Sequence, residues 1–282
     1  MLTPFWRDHF ALKNFYLLHD DPNVFLTSQW QRNKTEPNIK YLIYRTIVML
    51  VFFITWIISI IEGSGSGKYP IYLTNWGYTG CTIQALIGFL MLLTAVLASK
   101  YKSMHSTKEK TLKLYPVYWL LNTVTTPTAF AITTIYWSVI YNPKKVTTPA
   151  INYFVHGNNT VMMFLDLWIV AHPIRLLHVI YTVILGFTYT IFTLIYYSAG
   201  GTNKDGFTFI YKIVDWTKPG PTVGTCFGVI VFLIILHLLM FLFSSLRRSL
   251  QEKYCGKEVN VTMKDSKQQA AYVNEAMSND IV

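Results

Sequence analysis

The sequence predicts an all-α polytopic membrane protein, with about six transmembrane helices in one bundle and both termini cytosolic. Three observations predict it. Only 13% of the 282 residues are charged, against 52% hydrophobic, where soluble domains carry roughly 25% charged residues. Apolar runs of about 20 residues recur, each long enough for a hydrocarbon core of roughly 30 Å. Trp and Tyr gather at the ends of these runs, as at Trp76, Tyr78, Tyr115, Tyr118, Trp119, Tyr136, Trp137, Tyr141, Tyr196 and Tyr197, which is the pattern of an interfacial belt.

Residues 1–40 read as a cytosolic N-terminal region. They hold no long apolar core, and Asp20, Asp21 and Pro22 break the one short candidate. No cleavable signal peptide is expected, so the first span serves as the insertion signal. The membrane domain occupies 41–246, with spans at 41–61, 75–98, 116–141, 158–174, 177–198 and 223–246. Pro127 in the third is tolerable as a kink. The fourth is the weakest, because Asp166 and His172 interrupt it and Pro173 ends it. Short loops join the spans, so one domain is expected. Residues 247–282 are polar and read as a disordered cytosolic tail.

A net charge of +10 reports orientation here rather than nucleic-acid binding. Arg7, Lys13, Arg32, Lys34 and Lys40 precede the first span. Lys100, Lys102, Lys108, Lys110 and Lys113 fill the second loop, Arg175 sits in the fourth, and Arg247, Arg248, Lys253 and Lys257 follow the last span. They share one side only if both termini are cytosolic. The loops before Thr74 and His156 then both lie on the outer side. Each residue stands at the outer mouth of a span, and a hydroxyl near an imidazole is the minimum for a nucleophile and its base. Thr74 also suits a helix cap, and His156 an interfacial loop end.

Ionisable groups inside spans are costly, so each needs a partner or a task. Asp166 is the least expected. It lies about 15 Å from His156 along its helix at 1.5 Å per residue, so the two do not meet there. Its expected partner is a polar group on a neighbouring span, Asn122 or His237, with a role in a buried polar cavity as the alternative. His237 itself reads as a satisfied core histidine, and Arg175 and His178 as interfacial. No tight His pair and no Cys-x-x-Cys occurs, so neither a metal nor a cofactor is expected. Cys81 and Cys226 fall near outer span ends, where either free thiols or a disulfide would fit. Cys255 beside basic residues suits palmitoylation. Of the sequons at Asn33, Asn158 and Asn260, two are cytosolic and one sits at the membrane entrance, so none is expected to carry glycan. Loop 199–222 is rich in Gly and aromatics, with Asp205 and Asp215. It reads as an ordered cap that covers a pocket or presents a partner surface.

Several segments carry a family likeness. Ser28-Gln29-Trp30-Gln31, Tyr41-Leu42-Ile43-Tyr44-Arg45, Ile71-Tyr72-Leu73-Thr74-Asn75-Trp76-Gly77, His156-Gly157-Asn158-Asn159 with Asp166, Thr193-Leu194-Ile195-Tyr196-Tyr197 with Gly200-Gly201-Thr202, and Asp215-Trp216 resemble the insect rolling stone family across roughly 25–250. The resemblance implies a multipass protein of the plasma membrane or secretory pathway, acting in myoblast fusion or muscle development, with membrane lipids and a cell-surface partner of loop 199–222 as its contacts.

A more distant likeness is to the androgen-induced membrane hydrolases of fatty acid esters of hydroxy fatty acids. Tyr72-Leu73-Thr74 and His156-Gly157 match that pattern, while Asn159-Thr160 stands where that family has His-Thr. This likeness implies Thr74 as nucleophile and His156 as base. Asn75, Asn159 or N–H groups at a span start would support an oxyanion. A transporter built on Asp166 and His237 has less support, since no internal repeat is visible.

Overall fold

The computed structural model describes residues 9–141 and 150–279, with side chains as far as Lys253. Its elements are helical. Helix α1 spans Ile39–Ser64, α2 Leu73–Lys100, α3 His105–Leu112 and α4 Tyr115–Ile135, which continues as a π-turn over Tyr136–Ile140. After the undescribed segment come α5, Ala150–Tyr153, a π-turn over Phe154–Asn158, and α6, Asn159–Ile169. Helix α7 spans Val179–Ser198 and α8 Pro219–Asn279. The disordered tail expected from sequence falls largely on residues whose side chains lie outside the described set.

Local chemistry sets the helix starts. Asn38 caps α1 by accepting the Lys40 N–H at 2.8 Å, which satisfies one orphan donor of the first turn. Pro116 enters α4 in its first turn, where a missing N–H has no consequence.

Among the described residues, four helices are long and apolar enough to cross a membrane: α1, α2, the stretch Leu176–Ser198, and Pro219–Lys253 within α8. The third and fourth spans expected from sequence, in α4 and α6, are of a different kind. Helix α4 is threonine-rich, and most of its polar residues point inward: Asn122, Thr123, Thr125, Thr126 and Thr128 are all buried. Thr126 and Thr128 return their hydroxyls to the carbonyls of Asn122 and Val124, which lowers the cost of burying them. The lipophilic side chains lie on the perimeter instead. Ile43, Ile47, Leu50, Ile54 and Ile61 of α1, and Ile184, Phe187, Ile191 and Ile195 of α7, are exposed. A helix wrapped by protein can carry an inward-facing polar stripe, whereas perimeter helices present mainly apolar side chains to acyl chains.

The N-terminal region is part of the core. Phe25 and Leu26 are buried with Met91, Leu92, Tyr118 and Trp119. Where α6 stops at Ile169, its last carbonyls would be orphaned. The Gln29 N–H donates to Ile169 O at 2.7 Å, the Ser28 hydroxyl to the same oxygen at 3.0 Å, and the Trp30 indole to Trp168 O at 2.9 Å. The remaining Leu167 carbonyl takes Arg247, which also reaches His172 O at 3.3 Å. A buried guanidinium with carbonyl partners is explained by this site, since a helix C-terminus attracts cations.

His19 docks this region against Phe25 and Trp119, each with ring centroids 5.8 Å away. Burial pushes its imidazole below its ordinary value. The folded state therefore favours neutral His19. Its contribution is present above the unfolded value of about 6.5 and is lost as the pH falls through it. Limited proteolysis of residues 9–38 is expected to be faster at pH 5.5 than at pH 7.5, with the difference reduced in His19→Gln. An equal difference in both proteins would rule the histidine out.

Candidate functional site

Two places in the bundle gather polar chemistry. The first is centred on Asp166, 2% exposed. Its Oδ1 accepts from Arg45 Nη1 at 2.8 Å and Tyr44 Oη at 3.2 Å, and its Oδ2 from Gln84 Nε2 and Asn122 Nδ2, both at 3.1 Å. One carboxylate on α6 thus ties α1, α2 and α4 together. Arg45 is 1% exposed. It spends its remaining donors on the hydroxyls of Tyr41, at 3.0 Å, and Tyr118, and both rings flank the guanidinium. The Tyr118 hydroxyl in turn lies 3.3 Å from His172 Nε2. Gly88 makes room for this arrangement, since a Cβ there would stand 2.9 Å from the Tyr118 ring and 3.5 Å from Arg45 Cζ.

Asn122 is therefore a partner of Asp166, as expected, and His237 is not. His237 Nε2 lies 3.1 Å from the Arg175 carbonyl instead, because the unwound stretch after α6 leaves backbone groups that need partners. Arg175 stacks over Trp119 at 4.5 Å. His178 is fully buried, against the same indole. Sequence reasoning missed Arg45, although it is the sole charge in the first apolar run, and a lone intramembrane cation is a signal for a buried anion.

The second place is a cavity of about 90 Å³ bounded by α2, α4, α7, α8 and loop 199–218. Loop 199–218 is its roof. Tyr211 and Val214 pair across the loop, and both line the cavity with Ile213. The roof is tied down at several points. Tyr196 donates to Thr202 O, Trp216 Nε1 to Thr193 Oγ1, and the Lys204 N–H to Tyr72 Oη. Asn203 Oδ1 accepts from the Asp205 and Phe207 N–H groups, and Gly206 takes the positive φ that the turn requires. The loop is thus the ordered cap expected from sequence, and it covers a pocket.

Thr74 lines this cavity in the first turn of α2. Tyr189 closes the start of α2: its hydroxyl accepts the Leu73 N–H at 3.1 Å and donates to Ile71 O at 2.8 Å. It occupies the α2 N-terminus, where the sequence suggested an oxyanion would sit, and Tyr211 lines the cavity with Thr74. Burial pushes the phenols of Tyr211 and Tyr72 above their ordinary values, so both stay neutral.

His156 stands in the π-turn before α6 and is not among the lining residues. Its ring stacks on Tyr136, with centroids 3.5 Å apart and planes 1° from parallel, and Tyr136 is part of the cavity wall. Among the described residues no hydrogen bond joins Thr74 to His156. Tyr136 lies between the cavity and the imidazole, whose Nδ1 is buried without a partner.

The supporting residues are otherwise engaged. Asn75 Nδ2 donates to Tyr69 O at 2.6 Å. Asn159 Oδ1 accepts from the Thr160 N–H at 2.8 Å and the Thr133 hydroxyl at 3.3 Å. Both cysteines near the outer span ends are free thiols, Cys81 buried and Cys226 on the cavity wall.

The sequence profile of the family described as "Protein rolling stone" matches residues 5–258. The protein rolling stone of Drosophila melanogaster is 34% identical over 243 residues, covering 83% of this chain and 87% of its own. No solved structure matches the chain.

The carboxylate network generates a stability prediction. Asp166→Ala strands Arg45 as an unpaired buried charge, at an expected cost of about 3–5 kcal/mol. Thermal unfolding of the detergent-solubilised protein should show a large fall in Tm. Replacing both charges (Arg45→Met with Asp166→Ala) should recover part of the loss. A single variant as stable as the wild type would show that the pair does not hold the bundle.

Proposed function

We infer the role of this chain from its kinship: it belongs to the rolling stone family, and we read it as a multipass membrane protein acting in cell–cell fusion during muscle development. In this reading α4 and α6 join the four apolar helices as a third and fourth crossing, and both termini face the cytosol. The observation that carries it is the folded loop 199–218. This segment is short and lies between two membrane-spanning helices, yet it holds a fixed shape. Phe207, 55% exposed, is displayed on its turn, stacked on Phe209 at 5.2 Å. A segment ordered on the outer face with an exposed aromatic backed by a second ring suits a partner on an apposed cell, since aromatics anchor interfaces.

The test is a cell-mixing assay with fusion-competent muscle precursors. An epitope inserted at Asp205 should be reached by antibody on intact cells, and terminal tags only after permeabilisation. Phe207→Ser should reduce the fusion index at least twofold at equal surface level. A loop tag reached only after permeabilisation, or unchanged fusion, would remove the role of this loop.

A second function has a specific observation in its favour: Thr74 opens into an apolar cavity, and the cavity's Tyr136 carries His156 on its far face. In that reading the chain hydrolyses lipid esters such as fatty acid esters of hydroxy fatty acids, with Thr74 as nucleophile and His156 as base. The two groups must come within about 2.6–3.2 Å for proton transfer, which requires Tyr136 to swing aside. Membranes expressing the chain should be labelled by a lipid-ester activity probe, with labelling lost in Thr74→Ala and in His156→Ala. Equal labelling of wild type and both variants would eliminate the hydrolase.

A further inference from the structure

We propose that the cavity beneath loop 199–218 is a binding site for an uncharged, hydroxyl-bearing lipid, with its apolar body between α4, α7 and α8 and its hydroxyl at Thr74 and Tyr211. Three features of the wall carry this, and none depends on ester chemistry.

The first is depth. The wall runs from Thr128 to Tyr136 on α4, from Leu185 to Thr193 on α7, and from Thr225 to Leu233 on α8. Each is nine residues, whose eight steps rise about 12 Å at 1.5 Å per residue. That is close to one leaflet of a hydrocarbon core of roughly 30 Å. The floor is closed where Ala131 packs on Leu233 and Leu236. It is also closed where α7 meets α8 at Gly186, whose added Cβ would stand 2.9 Å from Ile230.

The second is where the hydroxyls go. Thr128, Thr190, Thr193 and Thr225 donate to the helix carbonyls of Val124, Gly186, Thr190 and Pro221. Threonines bonded to their own helix offer little to a ligand, so the shaft is apolar in effect. Thr74 differs. It sits in the first turn of α2 and lines the cavity with Tyr211, and among the described residues its hydroxyl is not returned to a helix carbonyl. The polar chemistry free to receive a head group is therefore concentrated under the roof, where a lipid's head group would lie.

The third is charge. Among the described residues, no Asp, Glu, Lys, Arg or His lines the cavity. A carboxylate or phosphate head would be buried without a counter-charge, at a cost of several kcal/mol. A hydroxyl can both donate and accept at Thr74 and Tyr211, and loses nothing there. A monoacylglycerol and a sterol share this chemistry.

The test uses the full chain in nanodiscs with three photoreactive clickable lipids: a monoacylglycerol, a sterol and a long-chain fatty acid. Either neutral probe should crosslink to the 185–193 and 225–233 stretches and be displaced by its unlabelled parent, and the stronger of the two identifies the source. Cys226→Trp, which fills the wall, should lower this labelling about tenfold. Thr74→Val should weaken competition by the hydroxyl lipid about five- to tenfold while leaving competition by its methyl ether unchanged. Labelling spread over the lipid-facing surfaces of α1 and α7 without displacement would overturn the site. Preferential labelling by the fatty acid would overturn the charge argument and the ligand class with it. Crosslinking needs no turnover, so a chain inert to the ester probe can still bear the proposal out.

Discussion

The bundle depends on keeping one carboxylate satisfied away from water. Asp166 cannot sit in an apolar interior alone. Four donors from α1, α2 and α4 converge on it, led by Arg45 at 2.8 Å. Each donor must arrive at a fixed depth and angle, so the network sets the register of four helices at once. Apolar packing between membrane helices gives no such register, because lipid tails are as apolar as leucine. The threonine-rich α4 and the close approach at Gly88 follow from the same demand.

A second constraint follows from the first. Asp166 sits near the end of a short helix, and the chain after Ile169 runs extended before α7 begins. Broken helices are tolerated at membrane depth only where protein answers the freed backbone groups. Here the answer comes from both distant ends of the chain: Gln29, Ser28 and Trp30 from the N-terminal region and Arg247 from α8. The N-terminal region is thus a plug under the bundle, held by Phe25 in the aromatic core.

At the opposite end the polar demand is lower and the structure is looser. The α4 π-turn and loop 199–218 enclose a cavity instead of a packed core. Tyr211 links the two halves of that region. It lines the cavity with Thr74 and belongs to the roof, while Tyr189 of α7 accepts the Leu73 N–H at the start of α2. Any chemistry at Thr74 therefore involves the roof as well as the helix.

Composition and run length were enough to identify an α-helical membrane protein, because the cost of exposing backbone and charge to lipid acts on every residue of a span. The motif segments identified the family for the same kind of reason, being local strings. Asp166 and its partner Asn122 were also legible, since a buried acid demands a donor. Arg45 was equally visible as a lone cation, but pairing it with Asp166 spans 121 residues, and no local pattern encodes that. The roles of Arg247, Tyr189 and Tyr136 were decided by tertiary structure alone. Each acts on a partner brought near by packing: a carbonyl at the end of α6, the first turn of α2, the imidazole of His156. The sequence by itself determined which groups must not face lipid. Only the folded bundle decided which of them face one another, because that depends on helix depth and rotation, which hydrophobicity leaves free.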